Sequence, residues 1–94
     1  MQIYHINYEE KETTIPFGYG GHLKVPRHTN GVGVELLNDS KRVRVYYYGL
    51  GEDGTPQMIN EKRDFSLDVL TEIEHALIKK ATKVTSYEKP DHTR

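Results

Sequence analysis

The sequence predicts an α+β fold: an antiparallel β-meander of four to five strands with one C-terminal amphipathic helix packed on one face. Three observations carry this expectation. Runs of alternating apolar and polar residues recur from Gln2 to Asn60. Two turn-forming pairs, Asn30-Gly31 and Asp39-Ser40, separate the most regular of these runs. After Ser66 the apolar period lengthens to the three-to-four spacing of a helix.

The first strand is read over Gln2 to Tyr8, with Tyr4, Ile6 and Tyr8 on one face and Ile3, His5 and Asn7 on the other. The charged run Glu9-Glu10-Lys11-Glu12 follows as a solvated turn. Thr13 to Phe17 is a short strand that Pro16 confines to an edge or an end. Gly18, Gly20 and Gly21 open a flexible loop, after which Leu23 to Thr29 alternates up to Asn30-Gly31. Both residues of that pair tolerate the positive φ angles of a type I′ hairpin turn. Val32 to Leu37 forms the next strand, Asp39-Ser40 the next turn, and Arg42 to Gly49 a strongly β-prone strand.

The two turns imply a register. Val25 falls opposite Leu36, Leu36 opposite Val43, Val34 opposite Val45 and Val32 opposite Tyr47. One face thus collects Val25, Val32, Val34, Leu36, Val43, Val45 and Tyr47, as a half-buried antiparallel sheet requires. The other presents Lys24, His28, Arg42, Arg44, Tyr46 and Tyr48, with Glu35 opposite Arg44. Leu50 to Thr55 is a loop carrying Asp53-Gly54, and Gln57 to Asn60 a short strand with either Met58 or Ile59 turned inward.

Ser66 is placed as a helix N-cap, with Phe65 and Leu70 as a hydrophobic staple and Asp68 where the helix dipole favours an anion. Leu67, Leu70, Ile73, Leu77, Ala81 and Val84 recur at helical spacing, and Lys79, Lys80 and Lys83 crowd the far end. Residues 1–84 are read as one domain and residues 85–94, polar and holding Pro90, as a flexible tail.

Composition bounds the function. A chain of 94 residues with 35% hydrophobic and 29% charged residues holds one modest core. A formal charge of -1, a pI near 6.5 and a mean hydropathy of -0.75 give it no long-range attraction for nucleic acid or anionic membrane. With no cysteine, disulfides, thiolate metal sites and cysteine nucleophiles are excluded, which agrees with a reducing compartment. No membrane-length apolar run and no signal-peptide layout is present, so a cytoplasmic location without membrane association is expected.

No catalytic residue, metal site or cofactor is predicted. His5, His22, His28, His75 and His92 lack ligand spacing. Ser40, Ser66 and Ser86 fall in a turn, a cap and the tail, and the paired carboxylates Glu9-Glu10, Glu52-Asp53 and Glu72/Glu74 lie in solvated positions. The glycine loop is followed by a strand, not by the helix that a phosphate cradle needs.

What remains is binding. Tyrosine and arginine are enriched at the energetic centres of protein interfaces. The face of Lys24, His28, Arg42, Arg44, Tyr46 and Tyr48 is therefore expected to cover a protein partner, the mode of small inhibitors carried by phages and plasmids. The same cations and rings could instead meet phosphates and bases of a nucleic acid. Over Gly31 to Thr82, a sheet followed by a helix, with Asp53-Gly54 before the last strand, resembles in outline the arm-type DNA-binding modules of mobile-element integrases; no motif specific to that family is present. A third reading gives Tyr19 and His22 contacts to a small nucleotide-like ligand through the glycine loop. Val69, Ala76 and Ile78 widen the helix's apolar arc, which would suit a homodimer seam.

Overall fold

Seven strands and one α-helix, where four to five strands were expected, form among the residues that the computed structural model describes: 1–39, 41–53 and 55–86. The strands are β1 (Gln2–Glu9), β2 (Thr13–Phe17), β3 (Gly21–Val25), β4 (Thr29–Leu36), β5 (Arg42–Leu50), β6 (Pro56–Ser66) and β7 (Lys83–Ser86). A 3-10 turn at Leu67–Val69 leads into α1 (Leu70–Lys80). Five strands make an antiparallel sheet in the order β6-β5-β4-β1-β7, and β2 pairs with β3 as a separate two-stranded sheet.

The half of the register built on Asp39-Ser40 is present. Gly31 pairs with Tyr48, Val32 with Tyr47, Gly33 with Tyr46, Val34 with Val45, Glu35 with Arg44 and Leu36 with Val43, and the Leu37 N–H donates to the Arg42 carbonyl at 3.0 Å. Ser40 itself lies outside the described residues. Val32, Val43, Val45 and Tyr47 have no exposed surface. A slip of one residue would turn all four outward, each at a cost of about 1.5–3 kcal/mol.

The half built on Asn30-Gly31 is overturned. Asn30 and Gly31 lie inside β4, a central strand held by β5 on one side and β1 on the other, where Gly31 pairs with both Tyr48 and His5. The turn between β3 and β4 falls earlier, and its left-handed residue is His28 at φ 71°. Asn30 uses its amide to clamp β5: its Oδ1 accepts from the Leu50 N–H and its Nδ2 donates to the Leu50 carbonyl. Val25 therefore pairs with Thr13 across the β2–β3 hairpin instead of facing Leu36, and Leu36 is about half exposed.

The main core lies between the sheet's inner face and the segments that fold over it. Tyr4, Ile6, Val32, Val45 and Tyr47 from the sheet join Ile15, Phe17, Leu23 and Val25 from the hairpin and Ile73 and Leu77 from α1. Phe17 stands edge-on to Phe65 of β6 at 5.6 Å between ring centres. The helix does not lie across the meander as expected. Its neighbouring strands are β2 and β1, and the hairpin shares with it the work of covering the sheet.

Ser66 Oγ accepts the Asp68 N–H at 3.3 Å, so the cap expected there exists, on the 3-10 turn. The helix ends earlier than the apolar spacing implied, because Ala81 is already extended and the Thr82 N–H donates to the His5 carbonyl at 2.8 Å. Val84 consequently pairs with Tyr4 in β7, and Thr85 and Ser86, assigned to the tail, pair with Ile3 and Gln2. Residues 87–94 lie outside the described residues. In β6 it is Ile59 that faces the core side, opposite Tyr47, while Met58 is half exposed. No helix among the described residues is long and apolar enough to cross a membrane.

Candidate functional site

The outer face of the sheet carries Arg42, Arg44, Tyr46 and Tyr48 on alternate positions of β5, but the guanidiniums, the Tyr46 hydroxyl and both tyrosine rings are engaged within the protein. Arg44 grips Asp64 with two bonds, Nε to Oδ1 at 2.6 Å and Nη2 to Oδ2 at 2.9 Å. Arg42 reaches Asp39 at 2.8 Å and Asp64 at 3.3 Å. These guanidiniums hold the Asp64 and Asp39 carboxyls below the usual carboxylate range; for Asp39 the Lys41 N–H contributes most. Tyr46 donates its hydroxyl to Glu35 Oε1 at 2.6 Å. With Lys62, which pairs with Tyr46 across the β5–β6 ladder, three cations on this face stand against Asp39, Asp64 and Glu35, which leaves no positive excess for phosphates.

The tyrosine rings of this face are buried: Tyr46 is 5% and Tyr48 2% exposed. They form a small second core with Ile3, against which Met1 and Leu50 pack. Gly31 and Gly33 make room for it. A Cβ on Gly33 would come within 3.0 Å of Tyr48 and Met1, and one on Gly31 within 3.0 Å of Leu50.

Lys24 and His28, expected on the same face, are elsewhere. His28 sits in the β3–β4 turn, where its N–H donates to the Glu9 carbonyl and its Nδ1 lies 2.5 Å from the Tyr8 hydroxyl. Arg27 Nε donates to His28 Nε2 at 3.2 Å. The arrangement ties the turn to the end of β1.

Lys24 instead joins His22 and Tyr19 on the β2–β3 hairpin. Ile15, Phe17, Leu23 and Val25 point into the core, and the alternate residues Thr14, Pro16, His22 and Lys24 are exposed, with Thr14 opposite Lys24 and Pro16 opposite His22. The tip is Gly18-Tyr19-Gly20. Gly18 at φ 56° and Gly20 at φ 88° take left-handed conformations that allow a tight reversal and leave Tyr19 fully exposed. The tip is seated on the helix: a Cβ on Gly18 would lie 3.2 Å from Glu72 Cγ.

A trough runs from Tyr19 along the boundary between β2 and α1. One cavity of about 280 Å³ is lined by Phe17, Gly18, Tyr19, Gly21, Val69 and Glu72. A second of about 500 Å³ continues past Ile15, Pro16, His75, Ala76, Lys79 and Lys80, and the two share Phe17, Gly18 and Glu72. Glu72 Oε2 is inaccessible to solvent and has no hydrogen-bond partner among the described residues. Lys24, Lys79 and Lys80 form no ion pair with a described residue.

The chain matches no known family. Nor does any curated protein or solved structure match it. The geometry alone therefore nominates the site. It brings together Tyr19, His22 and Lys24 of the residues singled out in the sequence, separates them from Arg42, Arg44, Tyr46 and Tyr48, and adds Glu72, read in the sequence as solvated, and Lys79 and Lys80, read there only as basic residues at the helix end. The available signal was Gly18-Tyr19-Gly20 between two alternating runs, which marks a hairpin tip as well as a loop. Of the residues proposed for a homodimer seam, Val69 and Ala76 pack on the main core and Ile78 is exposed.

Proposed function

We propose that this is a non-enzymatic binding protein that acts by covering part of a partner protein, with the β2–β3 hairpin and the adjoining face of α1 as its contact surface. The observation that carries the reading is Tyr19. A large aromatic ring fully in solvent between two left-handed glycines gives the free protein no burial, whereas it supplies a large anchor at an interface. His22 and Lys24 flank it with groups not engaged in the sheet's ion pairs. The hairpin's buried side holds it in place through Phe17, Leu23 and Val25, so little ordering entropy opposes association. The absence of cysteine fits action in a reducing cytoplasm.

A protein partner is favoured over nucleic acid because the domain as a whole is weakly acidic and the contact surface sets Glu72 among Lys24, Lys79 and Lys80 instead of presenting cations alone. The test is photo-crosslinking in lysate of the source cells with a benzophenone residue at position 19 and, as control, at Met58 on the sheet. The reading expects a protein adduct from position 19 that is absent from position 58 and is competed by wild-type protein but not by Tyr19→Ser. Equal adducts from both positions, or adducts removed by nuclease, would overturn it.

A further inference from the structure

We infer that the trough between β2 and α1 receives an extended segment of the partner that carries a Lys or Arg and, four residues away, an Asp or Glu. This rests on the reading of the hairpin–helix surface as the contact surface and specifies what that surface selects. Residues 72, 75, 76, 79 and 80 share one helical face and line the trough opposite β2. That face is polarised. Glu72 stands at the Tyr19 end with an oxygen that no described group satisfies, and Lys79 and Lys80 stand at the far end without ion-pair partners among the described residues.

The spacing sets the register. From Glu72 to Lys79 or Lys80 is seven or eight residues of helix, about 10–12 Å at 1.5 Å per residue. An extended chain covers that span in about three to four residues at 3.3 Å each, and because its side chains alternate, the even step of four is the one that turns both charged groups to the trough. Between the charged ends, Ile15, Phe17 and Ala76 line the trough, and of the three intervening side chains the middle one faces them.

At the acidic end the cavity of about 280 Å³ is large enough for an aliphatic stem along Phe17 and Val69, with the cation between the ring of Tyr19 and the carboxylate of Glu72. The terminal torsion of a glutamate is broad, so a modest rotation brings Oε2 from its shielded position to the incoming donor. A buried acceptor without a donor is unfavourable in the free protein, and the bond is gained on binding. At the other end, two lysines beside the helix C-terminus favour a carboxylate on the segment.

The probes are three end-blocked heptapeptides, AKVVVEA, AKVVVKA and AEVVVEA, titrated into the isotope-labelled full chain and followed by amide chemical shifts. AKVVVEA is expected to shift Gly18, Gly20, Gly21, Val69, Glu72 and Lys79 together, and to bind about tenfold more tightly than either single-sign peptide. Glu72→Gln should remove the preference for AKVVVEA over AEVVVEA. Lys79→Ala combined with Lys80→Ala should remove its preference over AKVVVKA, and both variants should keep the wild-type spectrum elsewhere. No shifts up to the solubility limit, shifts scattered over the surface, equal affinity for the three peptides or unchanged selectivity in Glu72→Gln would each overturn the inference. Such a failure leaves the crosslink at position 19 as a separate result, so the contact surface and its selectivity stand or fall independently.

Discussion

Removing the hydroxyl of Tyr47 should stabilise the protein, against the usual sense of a tyrosine-to-phenylalanine change. Tyr47 lies at the centre of β5 with no exposed surface, in the cluster that holds the hairpin to the sheet, and its hydroxyl has no hydrogen-bond partner among the described residues. Burial raises its phenol well above the ordinary range; Arg63 opposes this and Glu61 adds to it. An unsatisfied buried hydroxyl costs about 1–3 kcal/mol, and phenylalanine keeps the ring and its packing. We expect Tyr47→Phe to gain about 1 kcal/mol, which for a chain of 94 residues is a rise in Tm of roughly 4–8 °C. Thermal melts by circular dichroism and urea titrations with matched slopes measure it. The tyrosinate absorbance of the wild type should reach full amplitude only once the protein unfolds, and the variant should lose that last step. A variant that melts several degrees lower would refute the reasoning, since it would mean that an ordered water or other donor satisfies the hydroxyl.

Three further outcomes follow from individual contacts. Gly21→Ala places a Cβ 2.5 Å from the ring of Phe17, which is itself pinned against Phe65, so overpacking should cost about 1–3 kcal/mol; an unchanged Tm would show that the ring can move aside. Asn30→Ala removes both side-chain bonds to Leu50 and should cost about 1–2 kcal/mol, with faster hydrogen exchange at the Leu50 amide as the local readout; unchanged exchange would mean that the clamp contributes nothing. Because Asp64 titrates below the ordinary carboxylate range, its contribution is present above about pH 4 and is lost as pH falls through its lower folded value. Asp64→Asn should therefore flatten the loss of urea midpoint below about pH 4, and parallel wild-type and variant curves would contradict this.

The parts of the fold legible in the sequence are those whose cause is local. The β4–β5 register was readable because two β-branched alternating runs flank one polar turn, and the six pairs from Gly31–Tyr48 to Leu36–Val43 follow from that symmetry. The cap at Ser66 was readable for the same reason. Asn30-Gly31 misled because the pair tolerates a positive φ without requiring one, while the pairing of β4 with β1 joins residues some thirty positions apart and leaves no short-range mark. The extension of β6 through Glu61-Lys62-Arg63-Asp64 was hidden by its charges, which are what an edge strand carries; one of them, Asp64, answers Arg44 across the ladder. The helix end was hidden because Ala81 and Val84 continue the apolar spacing after the backbone has turned into β7.

The same distinction explains why the candidate site moved. Arginine and tyrosine at alternate positions of a strand look alike in sequence whether they face solvent or each other. On β5 the decision is made by neighbours: Asp64 and Asp39 complete the guanidiniums, and Gly31 and Gly33 on β4 let the tyrosine rings lie against the backbone beside Ile3. A surface whose groups complete one another gains little from a partner, since each bond made outside must replace one already made inside. The hairpin and helix differ on this point. Tyr19 touches solvent all round, Glu72 holds an acceptor that the described residues do not fill, and Lys79 and Lys80 answer no described carboxylate. Binding there adds interactions without dismantling any, which is why the smaller aromatic content of the hairpin outweighs the larger content of the sheet.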